Sequence, residues 1–588
     1  MKDFFKMVLA VICGFILIGI ICLILSLGML GSLAAAGSSK PALPKSGVLK
    51  IDLGSLVLAE QSQESLPFGG SDPSSLISGS GSPAVIGLWD AVRAVHTAAE
   101  DPAVKFIYLR TDNNSSSVTA LGELREALKQ YRATSGKPVV TYMENPGTGS
   151  YYLASISDKI YMSSSLGTTI QFTGVGSQMF FLGDLLGRLG VNVQLIRHGK
   201  YKSAGEMFTR SSSSPENREQ YQRMIDSMWE TIGSEIAEAR GISVARLDEA
   251  IEGLQLRLPQ DFVDCGLVDE LLTRQGLEDK LTTLAVADKF KDVKWIDFAD
   301  YIEAKQVPSK AKQKIAVIYA DGEIVDGNGK SDVAGDRFAS VIAKVRADST
   351  VKAVVLRVNS PGGSVTASEK IKNELDLLGA DKPVIASYGD YAASGGYWIS
   401  NNCEKIYSDA TTLTGSIGVF GLVPDFSKTA KDIAHVGVES ITSHKHGDMY
   451  GLTRPLDKDE YDYMLTGIEA VYDRFTTIVS EGRGIPEETV DAIGQGRVWT
   501  GADALKINLV DEIGTLEDAI RFAALTAGNE DLSQWKIQGY PAPLSPIESV
   551  LDMLGRNKGS DDAMVSVFRR ITKPQVFARM DTDIRISK

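Results

Sequence analysis

The 588 residues, 43% hydrophobic and 23% charged, have a globular composition and enough length for more than one core. A formal charge of -14 with no long basic block argues against a nucleic-acid binder, because phosphate would be repelled. Four cysteines are too few for a disulfide scaffold, and neither a CxxC or His/Cys cluster nor a phosphate-cradling glycine motif is present, so nothing calls for a metal or a cofactor.

Taken in chain order, residues 1–6 carry Lys2 and Lys6, and residues 7–33 carry no charge. Roughly 20 residues cross a hydrocarbon core, whereas the apolar region of a cleaved leader runs to about 15, so 7–33 reads as an uncleaved transmembrane anchor. The small-residue stretch SLAAAG leaves cleavage open. With no basic residue after the span until Lys40, the N-terminus is expected in the cytoplasm and the rest of the chain outside. Residues 34–47, rich in Ser, Gly, Pro and Ala, read as a linker.

Beyond the linker the chain contains itself twice at an offset of about 246 positions. VKFIYLRTDNNSSSVTA from Val104 matches VKAVVLRVNSPGGSVTA from Val351 without a gap. GKPVVTYM then answers DKPVIASY, DKIYMSSS answers EKIYSDAT, and CGLVDELLT answers INLVDEIGT. Two homologous domains are expected, at 48–303 and 315–541, joined by 304–314 and followed by a less regular tail, 542–588, whose IRIS adds an edge strand or frays. Within each copy an apolar β-branched run is followed by a turn and then by leucines at helical spacing: Leu121, Leu124 and Leu128 in one, Ile371, Leu375 and Leu378 in the other. Strand and helix alternate, which implies an α/β fold with helices covering a mostly parallel sheet.

The copies differ where chemistry is expected. The second has the turn SPGGS, whose Gly362 and Gly363 let backbone N–H groups approach a ligand as an oxyanion-holding pair; the first has NNSSS. Taken alone, PGG is an ordinary tight turn. In YAASGGYWIS, Ser394 stands among small residues that leave its hydroxyl little shielded, and it aligns with Thr148 of the first copy. At a helix start it has the positive end of the dipole behind it, and the Gly395 N–H is a second oxyanion donor. The first copy lacks the paired glycines and the serine together, which makes sense if they act together.

A serine needs a base. None of the five histidines, His96, His198, His435, His444 and His446, falls within the 40 residues after Ser394, which weakens a Ser-His-Asp triad without excluding it. The alternative is a lysine kept neutral by burial. Lys202, in HGKYKSAGEMF of the first copy, is such a candidate, set against the ordinary reading of a solvated surface lysine.

NSPGGSV, AASGGYW, TLTGSIGVFG and YKSA together resemble the long two-domain form of the signal peptide peptidase A (protease IV) family, over nearly the whole chain except the tail. The resemblance implies tandem crotonase/Clp-protease-like domains and a Ser-Lys dyad of Ser394 as nucleophile and Lys202 as general base. It implies an oxyanion turn at Gly362 and Gly363, and Ser416 as the hydroxyl that positions the lysine amine. It also implies a homotetramer anchored on the outer face of the cytoplasmic membrane, acting without cofactor on remnant signal peptides and other small hydrophobic or unfolded chains. Two rivals stand beside it: a crotonase-type acyl-CoA enzyme and a catalytically inactive membrane scaffold.

Overall fold

The computed structural model describes residues 40–62, 83–306, 309–330, 332–543, 575–580 and 585–586. The expected anchor at 7–33 lies outside them, and among the described residues no helix is long and apolar enough to cross a membrane.

In the first half seven strands matter: β1 (Gly47–Asp52), β2 (Val104–Arg110), β3 (Val139–Met143), β4 (Lys159–Ser163), β5 (Asn192–His198), β6 (Glu270–Leu272) and β7 (Trp295–Asp297). Six of them form a sheet in the order β7-β1-β2-β3-β4-β6 with every pairing parallel. The second half contributes β8 (Lys314–Asp321), β9 (Ile324–Val325), β10 (Val333–Ala334), β11 (Val351–Ser360), β12 (Gly362–Ser364), β13 (Val384–Ala393), β14 (Lys405–Ser408), β15 (Leu413–Gly415) and β16 (Val419–Asp425). After these come β17 (Val498–Thr500), β18 (Glu512–Ile513) and β19 (Lys536–Tyr540), with β20 (Gln575–Arg579) in the tail. The path β19-β8-β11-β13-β14-β18 repeats the first sheet strand for strand.

Alternation along the strands explains why both sheets are covered on two faces. In β11, Val354, Leu356 and Val358 enter one apolar cluster, while Ala353 and Val355 enter the cluster on the opposite face. In β2, Ile107 and Leu109 face one way and Phe106 and Tyr108 the other. The helices after these strands, Val118–Ser135 and Val365–Asp381, bury the expected Leu121, Leu124 and Leu128, and Ile371, Leu375 and Leu378. Each begins on a serine, Ser117 or Ser364, whose hydroxyl accepts a hydrogen bond from the third N–H of the helix.

A third sheet, ordered β10-β9-β12-β20-β16-β5, mixes the two halves. Strand β5 of the first half runs antiparallel to β16 of the second, from Val419 opposite His198 to Asp425 opposite Asn192. The tail contributes β20 to the middle of this sheet, and Arg585–Ile586 pairs with Val175–Gly176, so the IRIS segment does add an edge. Away from this sheet the halves are joined by a buried charge cluster, in which Arg357 of β11 reaches Glu60 at 2.7 Å and Glu123 at 2.8 Å.

Candidate active site

Strand β13 is longer than its counterpart β3: past Tyr388 it leaves β14 and pairs Tyr391–Ala393 with β15. The chain then turns at Ser394, whose N–H donates to the Gly415 carbonyl at 2.8 Å, and the short helix Gly395–Ser400 begins. Ser394 has φ 54° and ψ -112°, a backbone state that non-glycine residues rarely adopt and that costs on the order of 1–3 kcal/mol. Its hydroxyl is not open to solvent, as its small neighbours suggested; the residue is 0% exposed.

What meets that hydroxyl comes from the other half of the chain. Strand β5, held by β16, ends at His198, and four residues later the Lys202 Nζ lies 2.8 Å from Ser394 Oγ. The same amine is 3.0 Å from Ser416 Oγ and 3.1 Å from the Ser416 carbonyl oxygen, and Lys202 is 1% exposed. Its backbone is fixed on both sides: the Arg197 guanidinium donates to the Lys202 carbonyl at 2.7 Å, and the Tyr201 N–H donates to Gln495 O at 2.9 Å. Two glycines absent from the sequence-based candidates shape the channel for the lysine stem. A Cβ on Gly496 would lie 2.5 Å from the Lys202 N and Cβ, and one on Gly418 would lie 3.2 Å from its Cδ. Their signal in the sequence is no more than that of any loop glycine.

Strand β12 carries Gly362 (φ 94°) and Gly363 (φ 157°), conformations that favour glycine. A Cβ on Gly362 would lie 2.5 Å from the Gly395 nitrogen, so the glycine turn and the start of the short helix converge beside the serine. The Gly362 N–H is directed at the Ser360 hydroxyl, 3.2 Å away. All six residues singled out by sequence therefore lie together. The histidines lie elsewhere: His96 bonds Glu517, His446 bonds Glu460, His444 bonds Ser443, His198 stacks on Tyr472 at 3.8 Å, and His435 is exposed.

The first copy keeps the frame of this corner but not its chemistry. Tyr151 and Tyr397 occupy equivalent places, their hydroxyls donating to the Leu267 and Leu509 carbonyls at 2.5 and 2.8 Å. That equivalence puts Thr148 opposite Ser394. The Thr148 hydroxyl accepts from the Thr173 and Gly174 N–H groups at 3.2 and 3.1 Å, and Ser116 of the NNSSS turn accepts from Leu58 N–H at 3.0 Å.

Residues 131–288 and 376–529, one stretch from each half, match the model of peptidase family S49. The chain belongs to that family. It is a serine protease, and the S49 match covers Lys202 in one stretch and Ser394 and Ser416 in the other. The chain is 36% identical to "Protease 4" of Haemophilus influenzae over 511 residues, 84% of this chain and 81% of that protein. It is likewise 36% identical to "Protease 4" of Salmonella typhi, over 79% of this chain and 76% of the relative. A third relative, the chloroplastic serine protease SPPA of Arabidopsis thaliana, is 28% identical over 82% of this chain and 72% of its own length.

Proposed function

We propose that this S49 chain hydrolyses peptide bonds through a Ser394–Lys202 dyad. Burial disfavours a charged ammonium, so Lys202 is held as the neutral amine that takes the Ser394 proton. Ser394 Oγ then attacks the scissile carbonyl, and the N–H groups of Gly362, Gly363 and Gly395 hold the developing oxyanion once the Gly362 N–H turns from Ser360 to the ligand. The ammonium protonates the leaving amine, and a water activated by the same lysine releases the acyl group. Ser416 positions the amine. The observation that carries the reading is the 2.8 Å approach of Lys202 Nζ to Ser394 Oγ, a buried pair drawn from opposite copies.

The substrates in this reading are remnant signal peptides and other small hydrophobic or unfolded chains. The uncharged run 7–33, preceded by Lys2 and Lys6, supports anchoring in the cytoplasmic membrane with the catalytic body outside. The duplicated parallel sheets accord with the crotonase/Clp-protease fold for each unit, 48–303 and 315–541. The homotetramer carried by the family resemblance belongs to the same reading.

The test is kinetic. Ser394→Ala and Lys202→Ala should each lower peptide hydrolysis by about 10³-fold or more with the melting transition retained, and both should lose labelling by a fluorophosphonate. A variant at either position that cleaved peptides at the parental rate would refute the dyad.

A further inference from the structure

We propose that Gln220 is a positioning residue for hydrolysis: its buried carboxamide ties the residues on either side of Lys202, in the first copy, to the strand of the second copy that sets the place of Ser394. The proposal rests on the Ser394–Lys202 reading of the site.

Gln220 lies in the helix Pro215–Arg240 and is 1% exposed. A buried amide is costly unless its donors and its acceptor are used. Here Nε2 lies 3.0 Å from the Tyr201 carbonyl oxygen, 3.0 Å from Ser203 Oγ and 3.1 Å from Asn217 Oδ1, while Oε1 accepts from the Val498 N–H at 3.2 Å. The opposite orientation would set donor against donor at Val498 and acceptor against acceptor at Tyr201, so the side chain fits one way only.

The far end of this link belongs to the nucleophile. Val498 begins β17 and stands opposite Gly415 of β15, whose carbonyl receives the Ser394 N–H. The residues just before it serve the same site: the Gln495 carbonyl receives the Tyr201 N–H, Gly496 packs on Lys202, and the Arg497 carbonyl receives the Ser416 N–H at 2.7 Å. Gln220 therefore closes a frame around the dyad from the first copy's side.

The two copies differ here as they do at the dyad. The helices Pro215–Arg240 and Lys458–Arg483 are each 26 residues long, and each is followed by a left-handed glycine, Gly241 or Gly484. Counted back from those shared ends, Ile232 and Ile236 answer Phe475 and Val479, all four buried, whereas Gln220 answers Tyr463, which is 67% exposed. A polar group buried for the helix's own packing would serve both copies; this one serves the copy that carries the lysine. Length and chemistry are specific too: asparagine is one methylene shorter, and glutamate carries no N–H.

A reacting group displaced by about 1 Å loses roughly 10²-fold in rate, and such a displacement acts on kcat rather than on KM. The test uses the full-length protein, a fluorogenic octapeptide rich in alanine and leucine, and a fluorophosphonate. Gln220→Leu gives up every hydrogen bond of the amide, whereas Gln220→Glu keeps the length and the Val498 contact and gives up the donors. Each variant should lower kcat about 10²-fold with KM within about twofold. Each should also label more slowly with the fluorophosphonate yet still reach completion, the sign that every site is assembled. Gln220→Glu, nearly the same size as the parent residue, decides the matter if Gln220→Leu does not fold. A folded variant of either kind with kcat within about threefold of the parental value would overturn the proposal. So would a fall in Gln220→Glu matched by incomplete labelling or a lost cooperative melt, which would make Gln220 a packing residue of its helix. Failure of the peptidase reading itself looks different: the parental chain neither hydrolyses the octapeptide nor reacts with the fluorophosphonate.

Discussion

At the scale of single residues, the site depends on groups that touch no substrate. Gly496 packs against the Lys202 backbone so closely that a methyl group there would overlap it at 2.5 Å, and its φ of 81° already disfavours any side chain. Gly496→Ala should therefore lower kcat/KM by about 10²-fold or more, through a displaced amine, at a stability cost of roughly 1–3 kcal/mol; paired kinetics and thermal melts would check this. Ser416→Ala removes the hydroxyl that lies 3.0 Å from the Lys202 amine and should lower kcat about tenfold with KM little changed, as expected for a hydrogen bond worth about 1.4 kcal/mol. Ser394 and Lys202 were legible in the sequence because the two copies can be compared, and serine, lysine and paired glycines are distributed unequally between them. Gly496 and Gly418 were not, since a glycine kept for what lies across from it reads like a glycine kept for a turn.

At the scale of elements, one strand decides where the lysine goes. Strand β5 belongs by sequence to the first copy and by hydrogen bonding to a sheet of the second, and Lys202 is positioned by that exchange. From Phe420 to Leu422 strand β16 is paired on both sides, with β20 and with β5, so a proline there removes a ladder hydrogen bond. Gly421→Pro should reduce fluorophosphonate labelling of Ser394 by more than about tenfold while both parallel sheets still melt cooperatively; labelling and calorimetry on one sample would show it. The apolar run of β11 and the leucine spacing of the helices were readable because burial on two faces and on one face leave different periods. The third sheet was not. Ile324–Val325 and Gly362–Ser364 are too short to show a period, and the partner of β5 lies more than 200 positions away in the chain.

At the scale of the whole molecule, the halves meet through charge as well as sheet. One guanidinium, Arg357, serves both Glu60 and Glu123 in a buried setting. Burial raises the Glu123 carboxyl to about 7, with Arg357 opposing and Glu60 adding to the rise, and burial likewise raises Asp321 and Asp409 to about 6. Groups raised in the folded state contribute stability that is fully present below their ordinary values and lost as pH climbs through the folded ones. The melting temperature should therefore decline between about pH 4 and pH 7, and Glu123→Gln should flatten the part of that decline that extends up to about 7. A melt series in which the variant kept the full parental slope would count against this assignment.

The two residues of the proposed dyad lie 192 positions apart, with the amine upstream. Synthesis delivers Lys202 first and Ser394 much later, and the strand that locks them together, β16, later still. With that dyad as the catalytic pair, a half-made chain carries an amine with nothing to activate, and each half cut from the other lacks one of the two groups. Latency during birth is built into the order of the parts.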